Sequence, residues 1–246
     1  MSSLQPPVYP SDILVDGFIS NTFSPQGADD FLALLLKTSD FLRHISYSKG
    51  VWYIIRNVQP PSLGVSTPNY SLPLDYSVRT TQGTVIPQDR WIPTDKVDIR
   101  RHVEGGALQL PIFFRNRCGG IGFWLPDILQ GRHHDLYNGD RKAPLGGKTT
   151  THIRINWPGY GHWKRQIPTR DETHARQPIT LARFMKHIGT SVDKFFNQTM
   201  ERDYVANSRW GIGANGITQC HIKIIGAVHV SAGSWMPIMQ LTGYVL

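Results

Sequence analysis

The clearest hydrophobic pattern of the chain lies within residues 180–199. Its apolar residues recur at the spacing of one helix face: Leu181, Phe184, Met185, Ile188, Val192, Phe195 and Phe196. Thr180 can cap the N-terminus of such a helix, and Pro178 is poorly tolerated inside a helix. Gly189 in mid-helix costs about 1 kcal/mol relative to alanine, which suggests close contact with a neighbour. The pattern predicts a helix over Thr180–Thr199 with one buried face.

Immediately upstream, the helical spacing gives way to an alternation of apolar and polar residues. The alternating residues are Ile153, Arg154, Ile155, Asn156 and Trp157. A period of two is typical of a half-buried β-strand. The segment 158–161 (Pro-Gly-Tyr-Gly) reads as a turn, and residues 162–167 return as a second strand. The sequence therefore predicts a β-hairpin followed by the helix.

A second helical pattern occupies the first fifth of the chain. Residues 28–44 are apolar over most of a helix circumference, and Asp29 and Asp30 suit a helix N-terminus. We therefore predict a largely buried helix over Ala28–His44. Residues 1–27 are rich in proline, serine and glycine, and we interpret them as an N-terminal arm that docks through Phe18 and Ile19.

The remaining apolar segments have the composition of β-strands. They are residues 51–58, 77–81, 84–86, 108–115, 217–230 and 236–245. Pro111 places its strand at a sheet edge, and Gly226 interrupts another strand. The lack of a regular alternation of strands and helices argues against a doubly wound parallel sheet. We predict an α+β fold in which mixed, mainly antiparallel sheets carry two principal amphipathic helices on one side, with residues 28–246 forming a single globular domain.

Composition narrows the class of protein. The 246 residues are 40% hydrophobic and 18% charged, which suits a folded domain. No apolar run approaches the ~20 residues of a membrane span, and residues 1–20 lack the pattern of a signal peptide. Cys118 and Cys220 are the two cysteines, which suits a reducing compartment, although one disulfide between them is not excluded. We expect a cytoplasmic protein.

Positive charge is concentrated in the later part of the chain. Residues 1–100 carry 8 Lys/Arg and 9 Asp/Glu, whereas residues 101–246 carry 18 and 9. Cations interleaved with aromatic rings are typical of a groove for single-stranded nucleic acid. The candidate ligand-binding residues are Trp157, Tyr160, Trp163, Lys164, Arg165, Arg170, Lys186 and His187. The alternative is that Trp157 and Trp163 are core anchors and that the cations are simply solvated.

A weaker hypothesis is acid–base catalysis. Histidines, carboxylates and cations within reach of one another can cleave phosphoesters without a metal. The candidate catalytic residues are His162, Asp171, Glu172 and His174, which require the hairpin to lie beside the start of the helix. The same residues could instead cap the helix and form salt bridges.

Other chemical patterns are incomplete. Gly146-Gly147-Lys148-Thr149 resembles the end of a phosphate-binding loop, but Lys142 stands where that motif needs glycine. Adjacent residues of His133-His134-Asp135 point to opposite faces of a strand and cannot easily share one ion. We therefore expect neither a metal nor a cofactor, and we interpret Cys118 as an inert thiol rather than a nucleophile.

Two phrases carry a family resemblance. They are Trp157-Pro158-Gly159-Tyr160, continued by Trp163-Lys164-Arg165-Gln166-Ile167, Arg170-Asp171 and Pro178-Ile179-Thr180, and the later Val230-Ser231-Ala232-Gly233-Ser234-Trp235. Over about its last hundred residues the chain resembles uncharacterised proteins expanded in basidiomycete fungi. The resemblance implies a cytoplasmic fungal protein and implies no site.

Three functional hypotheses follow. The first is a basic binding protein for an anionic partner, with RNA as the leading candidate. The second is a metal-independent hydrolase of phosphoester-like substrates, and the third is a homo-oligomeric structural protein that assembles through its N-terminal arm.

Overall fold

The computed structural model describes residues 14–56, 70–78, 83–200 and 209–243. Within these ranges the chain has the predicted α+β fold. Its helices are α1 (Phe18–Leu36), α2 (Lys96–Ile99), α3 (Leu125–Leu129) and α4 (Leu181–Met200). Its strands are β1 (Ile45–Ser48), β2 (Val51–Arg56), β3 (Tyr70–Tyr76), β4 (Thr84–Val85), β5 (Ile112–Phe113), β6 (Phe123–Trp124), β7 (Thr150–Ile155), β8 (Trp163–Pro168), β9 (Ile222–Ser231) and β10 (Ser234–Leu241). A π-helical turn, Arg100–Glu104, follows α2 directly.

A seven-stranded sheet is built around the β9–β10 hairpin. β5 and β6 pair with the outer edge of β9, while β4 and β7 pair with β10. β8 pairs antiparallel with β7 and completes the sheet. β7 runs parallel to β10, and the other strand pairs of this sheet are antiparallel. The sheet is therefore mixed and mainly antiparallel, as predicted.

The two long helices lie on opposite faces of this sheet. Trp235 and Met239 of β10 join the core that α4 covers. Met236 and Ile238 of the same strand join a second core, which α1 and the three-stranded sheet β1–β2–β3 cover. The prediction that both helices cover one side was wrong. An antiparallel hairpin with apolar residues at almost every position is buried on both faces and needs a cover on each.

Helix α1 begins ten residues earlier than predicted. Phe18 and Ile19 are buried in its first turn and join the core beside the helix, and residues 18–27 form the first part of the helix itself. Ser24 breaks the helix with φ 69° and ψ 162°, and its hydroxyl accepts the Gly27 N–H, so it caps the second part of the helix. Lys37 ends the helix in a left-handed conformation. The predicted end at His44 was wrong, and residues 1–13 lie outside the described ranges.

A buried carboxyl of β3 anchors the start of α1. Asp75 Oδ2 accepts the Ile19 N–H at 3.0 Å, and Oδ1 accepts the Tyr76 N–H at 2.8 Å. Burial raises the pKa of Asp75 to about 8, although these backbone donors act to lower it. A side chain on Gly17 would collide with this carboxyl group, so the close approach of the two elements requires glycine there.

Helix α4 matches its predicted bounds within one residue. Thr180 accepts the Arg183 N–H at 3.2 Å and caps the helix as expected. The apolar stripe is buried from Phe184 to Phe196. A methyl group on Gly189 would lie 2.6 Å from Cγ2 of Ile128 in α3, so this glycine permits the predicted close contact.

The strand predictions were right in type and less accurate in extent. The strand predicted at residues 77–81 does not coincide with β3, which ends at Tyr76. Residues 79–82 lie outside the described ranges. β9 runs continuously through Gly226, although its register with β10 shifts between Gly226 and Ile224. Glycine is needed at this position because a side chain would collide with the backbone of Ile112. β5 follows Pro111 at a sheet edge, as predicted.

Cys118 and Cys220 are free thiols. None of the helices in the described ranges has both the length and the apolar character that a membrane span requires.

Candidate anion-binding site

The β7–β8 hairpin has two faces of different character. Along β7 the odd-numbered residues, such as Ile153 and Ile155, are buried towards α4. The even-numbered residues His152 and Arg154 point to the opposite face, and Lys164 of β8 lies directly across from Arg154. Each candidate residue on these two strands therefore belongs to one face or the other.

The aromatic candidates belong to the α4 face. Trp157 is 1% exposed, contacts Phe195 and Phe196, and donates its indole N–H to the Trp210 carbonyl. Tyr160 is half-buried, and its hydroxyl accepts the Ile212 N–H at 2.8 Å. The interpretation of Trp157 as a stacking ring was wrong, because a ring with no exposed face cannot meet a base. The alternative of a core anchor is confirmed for it.

Trp163 is also tied to α4. Its ring contacts Phe195, and its indole nitrogen donates to Gln198 Oε1 at 2.7 Å. The ring is half-buried, so part of it still faces solvent at the sheet edge. These contacts give Trp163 a structural role that accounts for its position.

Lys164 and Arg165 do not act together. Arg165 points towards α4, where its charge lowers the pKa of His187. Lys164 points to the other face, where its charge lowers the pKa of His152 on the neighbouring strand. The two side chains therefore lie on opposite faces of the hairpin, an arrangement that argues against contact of both with one run of phosphates. Consecutive residues of a strand point to opposite faces, and the sequence pattern already contained that limit.

A cluster of charged residues forms where β8 meets α4. Burial, followed by the charges of Arg183, Arg165 and Lys186, lowers the pKa of His187 to about 4. Glu172 Oε1 lies 3.6 Å from Arg183 Nη2 and partly offsets these charges. Lys186 is exposed on the outer side of α4. The cluster supports the predicted proximity of the hairpin to the helix start, but its carboxylate is exposed and paired.

The remaining catalytic candidates are not brought together. Asp171 Oδ1 accepts hydrogen bonds from Thr173 and Gln177 of its own loop, and the Thr173 hydroxyl is the main cause of its lowered pKa. Arg170 donates to the Arg176 carbonyl in the same loop, on which His174 is exposed.

His162 lies at the other end of the hairpin, where its Nδ1 is 2.7 Å from Asn156 Oδ1. It lines a cavity of about 320 Å³ next to Tyr160 and Gln88. The predicted acid–base set is thus distributed over two ends of the molecule's edge hairpin.

The opposite face of the hairpin forms the floor of a cleft of about 310 Å³. The β9–β10 turn makes one wall, and the segment 91–102, which includes α2, makes the other. The lining residues that argue for a function are Trp91, His102, Lys148, His152, Arg154 and Ser234.

Arg154 and Trp91 form the best-defined contact in this cleft. The guanidinium carbon lies 3.4 Å from the centroid of the indole ring, and Arg154 Nε donates to Ser234 Oγ at 2.9 Å. The backbone N–H of Trp91 is held by the Met236 sulfur at 3.2 Å. The cation and the ring are therefore fixed from both sides, which suits a preorganised binding surface.

Positive charge predominates at the hairpin side of the cleft, while its one lining carboxylate, Asp98, lies on the opposite wall. Arg154 and Lys164 are direct cross-strand neighbours, and such like-charged pairs are destabilising. Lys148 approaches the same place, since a methyl group on Gly233 would lie 3.3 Å from its ammonium nitrogen. The ion pairs of the described ranges involve Arg43, His102, Arg132 and Arg183, so none neutralises these three cations.

His152 lies within reach of this charge. Burial and then the charges of Arg154, Lys164 and Lys148 lower the pKa of His152, while a hydrogen bond to the Gly233 backbone acts in the opposite direction. On the far wall His102 Nε2 lies 3.7 Å from Asp98 Oδ1. An anion bound beside His152 would offset the three positive charges and raise this pKa.

Sequence reasoning missed this cleft. Arg154 was noted only as the polar partner in an alternation, and Lys148 only within a rejected phosphate-loop motif. Trp91 lies in a proline-rich segment with no periodic pattern. The available signal was the run of even-numbered polar residues on β7, which marks a face that no apolar element covers.

The described ranges contain no group of three His, Cys, Asp or Glu side chains placed to hold a metal ion.

Comparisons of the chain with protein-family models, with curated proteins and with solved structures found no match.

Proposed function

We propose that the protein binds a phosphate-bearing partner in the cleft between Trp91 and the β7–β8 hairpin, with single-stranded RNA as the leading candidate. The observation that carries the proposal is the like-charged pair Arg154 and Lys164, joined by Lys148; none of the three forms an ion pair within the described ranges, and the one carboxylate of the cleft lining, Asp98, lies beside His102. Placing such cations side by side costs stability unless an anion offsets it. A phosphate supplies that charge and accepts hydrogen bonds from all three side chains.

The aromatic wall favours nucleic acid over a simple inorganic anion. Trp91 is half-buried and lies beside the cations, so its accessible part is available for stacking. Single-stranded nucleic acids are bound by this combination of cations for phosphates and rings for bases. Lys164 and Arg154 thus position the backbone, and Trp91 contacts a base.

The test is a titration of a fluorescently labelled RNA hexamer at several salt concentrations. We expect the affinity to fall with salt because bound phosphates release counterions, with a log–log slope of about −0.7 per phosphate contact. The double variant Lys148→Ala/Lys164→Ala should make the slope shallower by about 1.4 units.

A matched control removes the same charge elsewhere. Lys186 and Lys194 are exposed on α4, on the other side of the sheet, and their double alanine variant should leave the slope unchanged. Equal effects of the two double variants would show that net charge alone attracts RNA. If folded wild-type protein binds no RNA or single-stranded DNA at low salt, the proposal is wrong.

A further inference from the structure

The amount of charge in the cleft exceeds what one phosphate inside a nucleic-acid chain requires. An internal phosphodiester carries a single negative charge, whereas a phosphomonoester carries about 1.5 to 2 negative charges at pH 7. Lys148 and Arg154 line the cleft, Lys164 is the cross-strand neighbour of Arg154, and the charges of all three reach His152. The number of positive charges therefore matches a dianion better than a monoanion.

The shape of the cleft also suits the end of a chain. Its volume, about 310 Å³, is near the lower limit for ligand pockets and suits one nucleotide rather than several. The floor is β7, and the walls rise on two sides from the Ser231–Ser234 turn and from residues 91–102. Lys148 lies over the turn at Gly233, so it limits the cleft at that end.

Resting on the proposed function, we infer that the cleft recognises a terminal phosphomonoester of RNA or of a nucleotide, with the terminal base against Trp91. Lys148, Arg154 and Lys164 hold the phosphate, and Ser234 keeps the Arg154 side chain in place through its Nε. The chemistry is shared by 5′ and 3′ terminal phosphates, and the experiment separates them.

The experiment compares four hexamers of one sequence with wild-type protein. They carry a 5′-phosphate, a 3′-phosphate, hydroxyl groups at both ends, or a 5′-phosphate esterified with methanol. The methyl ester keeps the phosphorus but removes one charge. We expect one of the two terminal phosphates to bind about tenfold or more tightly than the hydroxyl strand, from one additional charge-assisted hydrogen bond. If the preferred end is 5′, the methyl ester should lose most of that preference; if it is 3′, a 3′ methyl ester serves as the same control.

Variants locate the preference. Lys148→Ala should reduce the ratio between the phosphorylated and hydroxyl strands to about one or two, whereas the exposed Lys186→Ala should retain it. Because Lys148 is exposed, the variant should fold, and its melting curve is measured beside the titration. A preference that survives Lys148→Ala would place the terminal phosphate elsewhere and overturn the inference.

The outcomes separate the two proposals. The wild-type protein could bind all four strands with equal affinity, and the Lys148→Ala/Lys164→Ala variant could lose that binding. This result would support the proposal of RNA binding in the cleft and exclude recognition of a terminal phosphate. Failure of every strand to bind would remove both. A preference for one terminus that is lost with Lys148 supports both and identifies the end that is read.

Discussion

The two faces of the β7–β8 hairpin use the same strands for different purposes. On the α4 face Ile153, Ile155 and Ile167 are buried, and the neighbouring cation Arg165 lies beside a histidine and an ion pair. On the other face Arg154 and Lys164 lie side by side, and neither forms an ion pair within the described ranges. The comparison teaches that a basic, aromatic-rich segment is not one surface, because a strand divides its residues between two environments.

The largest expected effect concerns the buried face. Phe184 is fully buried and contacts Phe114 and Trp235 at ring-centroid distances of 6.4 and 5.5 Å. Phe184→Ala should lower the free energy of unfolding by about 3–5 kcal/mol, since it removes an aromatic ring and leaves a cavity. Urea denaturation measures it, and Lys186→Ala on the exposed side of the same helix is the control. An unchanged midpoint would mean that the α4 stripe is not core.

The second prediction concerns His229, a buried histidine of β9. Burial and the charge of Lys148 lower the pKa of His229 to about 4, and its Nδ1 accepts the Gln109 N–H at 2.9 Å. The unfolded pKa is higher, about 6.5. Neutral His229 therefore contributes stability above about pH 6.5, and this contribution is lost as the pH falls towards 4, up to about 3 kcal/mol.

The measurement is the difference between wild type and His229→Gln. Urea denaturation at pH 7 and pH 4.5 should show the wild type losing more stability than the variant, which cannot titrate at this position. The exposed His174→Gln should behave like wild type. Equal losses in all three proteins would contradict the prediction.

The third prediction separates two tryptophans. Trp91→Ala should weaken RNA binding by about 1–3 kcal/mol through loss of stacking, with little change in salt slope. Trp163→Ala removes the contacts with Phe195 and Gln198, so it should lower the melting temperature and leave the affinity of the folded protein nearly unchanged. Weaker RNA binding by folded Trp163→Ala, with unchanged binding by Trp91→Ala, would instead place the binding surface around Trp163.

The smallest effect distinguishes neighbouring cations. Lys164→Ala should make the salt slope of RNA binding shallower by about 0.7 units, whereas Arg165→Ala should not change it. Arg165→Ala should instead raise the pKa of His187, because one of the charges that lower it is removed. Salt titrations and NMR titration of the His187 ring test the two halves. Equal slope changes would mean that both side chains reach the ligand.

Local periodicity explains which predictions succeeded. The stripe of α4, its cap at Thr180, the close contact at Gly189 and the β7–β8 hairpin all depend on residues within a few positions of one another. Helix α1 begins earlier than predicted because residues 1–27 have the proline, serine and glycine content of an arm, although Pro25 follows the cap residue Ser24 and is tolerated in a first turn.

The candidate site could not be predicted in the same way. Trp91, Lys148 and Ser234 come from three separate segments, and each looks ordinary among its own neighbours. Their meeting depends on the β9–β10 hairpin lying beside β7 and on the 87–94 segment being held against β10 and the end of β7, where Gln88 Nε2 donates to the Pro237 carbonyl and Asn156 Nδ2 to the Asp89 carbonyl.

The sequence by itself determined the α+β class, the buried stripe of α4 and the alternation that divides β7 and β8 into two faces, because these follow from periods of 3.6 and 2 residues. Only the tertiary structure decided that the two long helices cover opposite faces and that Trp91 and Ser234 meet Arg154. The Ser234–Arg154 hydrogen bond joins residues 80 positions apart, and such contacts depend on how the whole core is assembled rather than on any local pattern.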